Sequence, residues 1–197
     1  MIKPMKICVY GAASSEIDKS FVEAGEELGR KMAQRNIGLV FGGGRNGMMG
    51  SVARGIAQNG GSILGISPKF FEENNAEISF PECTEFIHTD TMRERKRLLD
   101  EKSDAFIITP GGIGTFDEFF EILTLKQLGR HNKAIVIYNI NGYFENMLKM
   151  MQISIEQKFI TEDCIELYKI TTSADETLDY IENYDPTDVD ISKVKIR

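Results

Sequence analysis

At 197 residues and 42% apolar content, the chain is long enough to bury one full core, and nothing in its length demands a second domain. Its 30 acidic and 23 basic residues leave a formal net charge of -7, which argues against a general grip on the phosphate backbone of DNA or RNA but leaves small anionic ligands open. Cys8, Cys83 and Cys164 stand far apart in no CxxC pattern, so neither a disulfide framework nor a zinc site is suggested. No apolar run approaches the ~20 residues of a membrane span, and the opening "MIKPMKICVYGAASS" lacks the apolar stretch of a leader. The expectation is a soluble, cytoplasmic protein with reduced, buried cysteines.

In chain order, "KICVY" (6–10) is the first candidate strand, followed by a "GAASS" turn and a helical pattern over 18–35. Further strands are expected at 37–41, 62–67, 85–89, 104–109 and 134–138, with a weaker one at 167–171. Helical patterns lie between them at 47–59, 91–102, 115–128 and 143–157, and a last one at 174–183. Continuous Val/Ile-rich strands separated by helices predict one α/β domain spanning 1–197, a doubly wound, Rossmann-like and mainly parallel sheet of about seven strands with helices on both faces. Ligands of such sheets bind beyond the carboxyl ends of the strands, so the loops there are where function is sought. The connection 68–84, "PKFFEENNAEISFPECT", suits a surface flap better than a core element. The stretch 184–197 reads as an extended tail.

Two loops are rich in glycine. The first, "FGGGRNGMMG", satisfies G-x-G-x-x-G from Gly42, between a strand and a helix. A dinucleotide site would also place a carboxylate about 20 positions on, at the end of the next strand; here that strand ends "GISPK". The absence of G-K-[ST] excludes a Walker loop as a match. The readings left are a tight turn that lets a helix pack close, or backbone approach to an anion.

The second loop, "TPGGIGTFDEFFE" (109–121), has sharper chemistry. Gly111, Gly112 and Gly114 free the backbone to aim N–H groups at one point, and the helix expected from Thr115 adds its positive end. Thr115 and Glu118 also read as T-x-x-E, a reciprocal capping box, which explains both by helix initiation alone. Yet Glu118 heads an apolar stripe with Ile122 and Leu125. In "TMRERKRLLDEKS" (91–103), Thr91 can cap a helix, and the apolar sector of Met92, Leu98 and Leu99 centres near Arg95, while Arg93, Glu94 and Arg97 point elsewhere. An arginine placed inward needs a carboxylate or phosphate partner.

"PGGIGTFDE", "MRERK" and "GGGRNGMMG" together match P-G-G-x-G-T-x-x-E, M-x-x-R-K and G-G-G-x-x-G-x-M-G, and on these motifs the chain resembles the LOG family of cytokinin riboside 5'-monophosphate phosphoribohydrolases, historically labelled lysine decarboxylases. The likeness runs from the first strand to about residue 160. It implies hydrolysis of the N-glycosidic bond of a nucleoside 5'-monophosphate, cytokinin-type or AMP, by a homodimer or an assembly of dimers; no cofactor is expected, and His88 and His131, each standing alone, suggest no metal. It puts the catalytic roles on Arg95 and Glu118 and the phosphate loop on Gly111, Gly112, Gly114 and Thr115. Gly43, Gly44, Met92 and Lys96 are further candidates for substrate contact. Arg93 stands where many members have histidine. Arg95 either orients Glu118 or contacts the nucleotide.

A lysine decarboxylase would need pyridoxal phosphate on a lysine, and the His-x-Lys at 131–133 reads instead as a helix-to-strand connection. A non-catalytic nucleotide-binding module using the same cradle is the other alternative. The helix 115–128, apolar on nearly every side, suggests either a subunit interface or a deeply buried central helix.

Overall fold

The computed structural model describes residues 4–73 and 78–187. Seven strands, β1 (Lys6–Tyr10), β2 (Gly38–Phe41), β3 (Ile63–Pro68), β4 (Glu85–Thr89), β5 (Ala105–Ile108), β6 (Ala134–Tyr138) and β7 (Lys169–Thr171), form one sheet in the order β4-β3-β2-β1-β5-β6-β7. Every pairing is parallel. The Rossmann-like expectation therefore holds, because runs that are apolar at every position must be covered on both faces.

Alternate strand residues serve opposite cores. Ile7, Val9, Phe41, Ile107 and Val136 face α1 (Lys19–Gln34), α2 (Gly47–Ala57) and α7 (Ala174–Glu182). Cys8, Tyr10, Val40, Phe106 and Ile135 face the other layer, which holds α4 (Met92–Glu101), α5 (Ile113–Gln127) and α6 (Glu145–Glu156). Helices α1 and α2 pack with their backbones close. A Cβ on Gly29 would lie 2.1 Å from the Val52 carbonyl oxygen, and one on Gly55 would lie 2.2 Å from that of Glu26.

The segment 68–84 departs from the expected surface flap. Residues Lys69–Glu73 form a short helix, α3. Phe80 is buried and meets Phe41 edge-on at 6.4 Å. The Arg45 N–H donates to the Ile78 carbonyl at 2.9 Å, and the Phe80 N–H to that of Gly43 at 2.7 Å. The physical reason is that the glycine-rich loop after β2 exposes backbone groups that need partners, and 78–80 supplies them. Of the expected tail, Tyr184 packs against the domain, its hydroxyl accepting from Lys126 Nζ at 2.9 Å. Residues 188–197 lie outside the described residues. No helix among the described residues is long and apolar enough to cross a membrane.

Candidate active site

Strand β1 is the point where the order reverses, with β2 to one side and β5 to the other, so the loops leaving β1 and β5 diverge there and open a crevice. The two loops are tied together, the Ala12 N–H donating to the Pro110 carbonyl at 3.0 Å. Gly111 must be glycine: a Cβ there would lie 2.1 Å from Thr115 Oγ1 and 2.9 Å from the Ala12 nitrogen. Tyr143 also donates its hydroxyl to the Gly111 carbonyl at 2.6 Å.

Helix α5 starts at Ile113, two residues earlier than expected, with Gly112 as its N-cap and no side-chain capping bond. The expected Thr115–Glu118 capping box is thereby corrected. Thr115 lies inside the first turn and Glu118 a turn further in, because the extended Gly112 (φ -94°, ψ -153°) already begins the helix. The first-turn N–H groups consequently lack an acceptor from a capping side chain and keep their attraction for an anion. A Cβ added at Gly112 or Gly114 would meet nothing within 4 Å, so the space in front of that turn is open.

A reciprocal cap of this kind does form at α4. Thr91 Oγ1 accepts from the Glu94 N–H at 3.1 Å, and a Glu94 carboxylate oxygen accepts from the Asp90 N–H at 3.1 Å. With α4 fixed and Leu99 buried beneath it, Arg95 turns inward, 5% exposed, while Arg93 and Arg97 stay in solvent. Its Nε donates to the Ile66 carbonyl at 3.2 Å and its Nη1 to Glu118 Oε1 at 2.9 Å. Both partners of this ion pair are buried. Burial pushes the Glu118 carboxyl up to about 7, and the Arg95 charge opposes that rise without cancelling it. Burial likewise raises the Tyr10 hydroxyl well above its ordinary value.

A cleft of about 350 Å³ joins these parts. Gly112, Gly114 and Thr115 line its polar end, Arg95 and Glu118 its wall, and Met49, Phe71 and Met92 an apolar end. Gly11 to Ser14 and Asp117 complete it. Of the residues singled out in the sequence, the structure gathers Arg95, Glu118, Met92, Gly112, Gly114 and Thr115 here, with Gly111 bracing the loop beneath. Gly43, Gly44 and Lys96 do not line it. Gly43 (φ +90°) packs on Phe86, and Gly44 bridges to Ser79. Lys96 Nζ pairs with Asp117 at 3.1 Å and with Glu121. The first glycine loop serves Arg95 instead, for a Cβ at Gly42 would sit 2.2 Å from Arg95 Nη2. The cleft also takes in Phe71, from the 68–84 connection, and the "GAASS" loop, which carries no fingerprint. The position of that loop after β1 was the available signal.

Residues 49–181 match the family described as "Possible lysine decarboxylase". The cytokinin riboside 5'-monophosphate phosphoribohydrolase LOG2 of Arabidopsis thaliana is 33% identical over 181 residues, covering 92% of this chain and 84% of the relative. The chain belongs to the LOG family. The probable phosphoribohydrolase LOGL1 of Oryza sativa subsp. japonica is 35% identical over 91% of this chain and 79% of its own. Among solved structures, TM1055 superposes with a TM-score of 0.70 at 22% identity, covering 91% of this chain and 99% of that one. The molybdenum cofactor carrier protein of Chlamydomonas reinhardtii gives 0.68 at 17%, covering 91% and 97%. At these identities the structural matches speak for the fold. The older description of the LOG family as decarboxylases finds no lysine lining the cleft among the described residues. Lys133, of the His-x-Lys, is occupied by the Asp100 carboxylate and carbonyl, both at 2.6 Å.

Proposed function

We propose that this chain hydrolyses the N-glycosidic bond of a nucleoside 5'-monophosphate, cytokinin-type or AMP, releasing free base and ribose 5-phosphate. The observation that carries the reading is a buried carboxylate, Glu118, held by Arg95 in one cleft with an uncapped helix terminus. The named activity of relatives about one-third identical supports it. The phosphate accepts from the first-turn N–H groups of α5 beside Gly112, Gly114 and Thr115. That anchor orients the ribose so that its anomeric carbon meets Glu118. Cleavage passes through an oxocarbenium-like sugar, whose positive charge the carboxylate stabilises while it positions the attacking water. Arg95 orients Glu118 and keeps its ionised form accessible. The base lies toward Phe71 and Met92. The reading calls for no cofactor.

The test compares wild type with Glu118→Gln on AMP and on N6-isopentenyladenosine 5'-monophosphate, with free base quantified. Glutamine keeps an oxygen for Arg95 but loses the charge. Release by wild type and none by the folded variant is expected. Nucleotide binding by both proteins with release by neither would make the chain a binding module. A homodimer is also proposed as the working form. Most of α5 is covered within the subunit, but Ile113 at its start, Leu128 just after its end, and Met150 and Ile153 on α6 remain exposed apolar surface. Light scattering on the eluting protein reads the mass, and a clean monomer ends that part.

A further inference from the structure

Glu118 borders two cavities. Besides the cleft, it lines a second space of about 190 Å³ on the other side of the α4–α5 contact. Lys96, Arg97, Asp100 and Glu121 give that space a charged border, and Ile122 and Leu125 give it an apolar side. The volume far exceeds the roughly 15 Å³ that one water needs, and charged walls keep such a space wet rather than dry. Among the described residues, no other that lines the cleft also lines this second space.

Resting on the hydrolytic reading above, the need for water becomes a problem of access. A nucleotide anchored at the α5 terminus, with its base toward Phe71, covers the approach to Glu118 through the cleft. Each turnover still consumes one water. The C1'–N bond breaks with its electron pair going to the base nitrogen, and the water oxygen bonds to C1'. Glu118 takes one proton from that water while the departing nitrogen takes one from solvent. Glu118 is then left with a proton to return before the next cycle, with product still in front of it.

We propose that the rear cavity between α4 and α5 is the water inlet and proton outlet of Glu118, used while the cleft is occupied. Lys96 stands at its border, bonded across to Asp117 and Glu121, so the border is a movable ion pair rather than packed backbone. Leu125, half-buried on α5, is the side chain whose enlargement fills the space without touching the cleft.

Leu125→Trp is the test, with kcat and KM measured on AMP. The inlet predicts a kcat lower by about tenfold or more, equal to a barrier increase of about 1.4 kcal/mol, with KM within about twofold of wild type. A folded variant with unchanged kcat overturns the inlet while leaving the hydrolytic reading intact. Wild type that releases no base overturns both. Should Leu125→Trp fail to fold, a crystal structure of Glu118→Gln with bound AMP decides. Ordered waters running from the border at Lys96 to the side chain of residue 118 support the inlet, and side chains closed between them overturn it.

Discussion

Glu118 carries two opposing influences, burial that favours its neutral form and the Arg95 guanidinium that favours the charged one. Burial wins, so the group titrates near 7, well above its ordinary 4.5. If the carboxylate is the working form, kcat/KM on AMP rises with pH below about 7, by about tenfold per unit, and levels off above it. Glu118→Gln should lose that limb along with the activity, and a wild-type profile flat from pH 5 to 8 would remove Glu118 from the chemistry. Stability moves the opposite way with pH. The folded value lies above the unfolded one, so this group's contribution is complete below pH 4.5 and is lost as pH climbs to about 7. The inward turn of Arg95 was legible because three apolar neighbours on a ten-residue helix define its face. Its partner was legible only as one of two alternatives, Glu118 or the nucleotide, because T-x-x-E reads equally as a cap and only the backbone of Gly112 shows where α5 begins.

Among the elements, the start of α5 separates folding from binding most cleanly. Gly114 occupies a helical position whose Cβ direction is empty, so Gly114→Ala should leave stability unchanged or improve it by about 0.5–1 kcal/mol through helix propensity. The same methyl group enters the space assigned to phosphate. KM for AMP should therefore rise by about tenfold, the equivalent of roughly 1.4 kcal/mol of binding. Urea melts and steady-state kinetics read the two effects, and an unchanged KM would move the phosphate elsewhere. Strands and helices were legible almost to their ends, since continuous apolar runs and 3.6-residue stripes report burial directly. The 68–84 connection was not. Phe80 reaches the core through backbone pairing with Gly43 and Arg45, a contact between distant segments that no local period encodes.

At the scale of the molecule, Lys126 ties the central helix to the end of the described chain. Its amine is buried and donates to the Lys133 carbonyl and the Tyr184 hydroxyl, both at 2.9 Å. Burial lowers it to about 8 from 10.5. The charged amine therefore costs stability below pH 8, and that cost is relieved as pH rises from about 8 to 10.5. Lys126→Met should gain on wild type by an amount that shrinks across this window, on the order of 3 kcal/mol in total. Urea melts at pH 7 and pH 10 measure it, and a difference independent of pH would show that the amine titrates in the folded protein as it does in the unfolded chain, with no cost of burial. A different kind of consequence follows from Gly42, whose missing side chain is where the Arg95 guanidinium lies. Two motifs separated in the chain by β3 and β4 are thus a single heritable unit. A recombinant that took β2 from one relative and α4 from another would work only if glycine and arginine arrived together, and in any lineage losing the arginine, the glycine becomes free to drift.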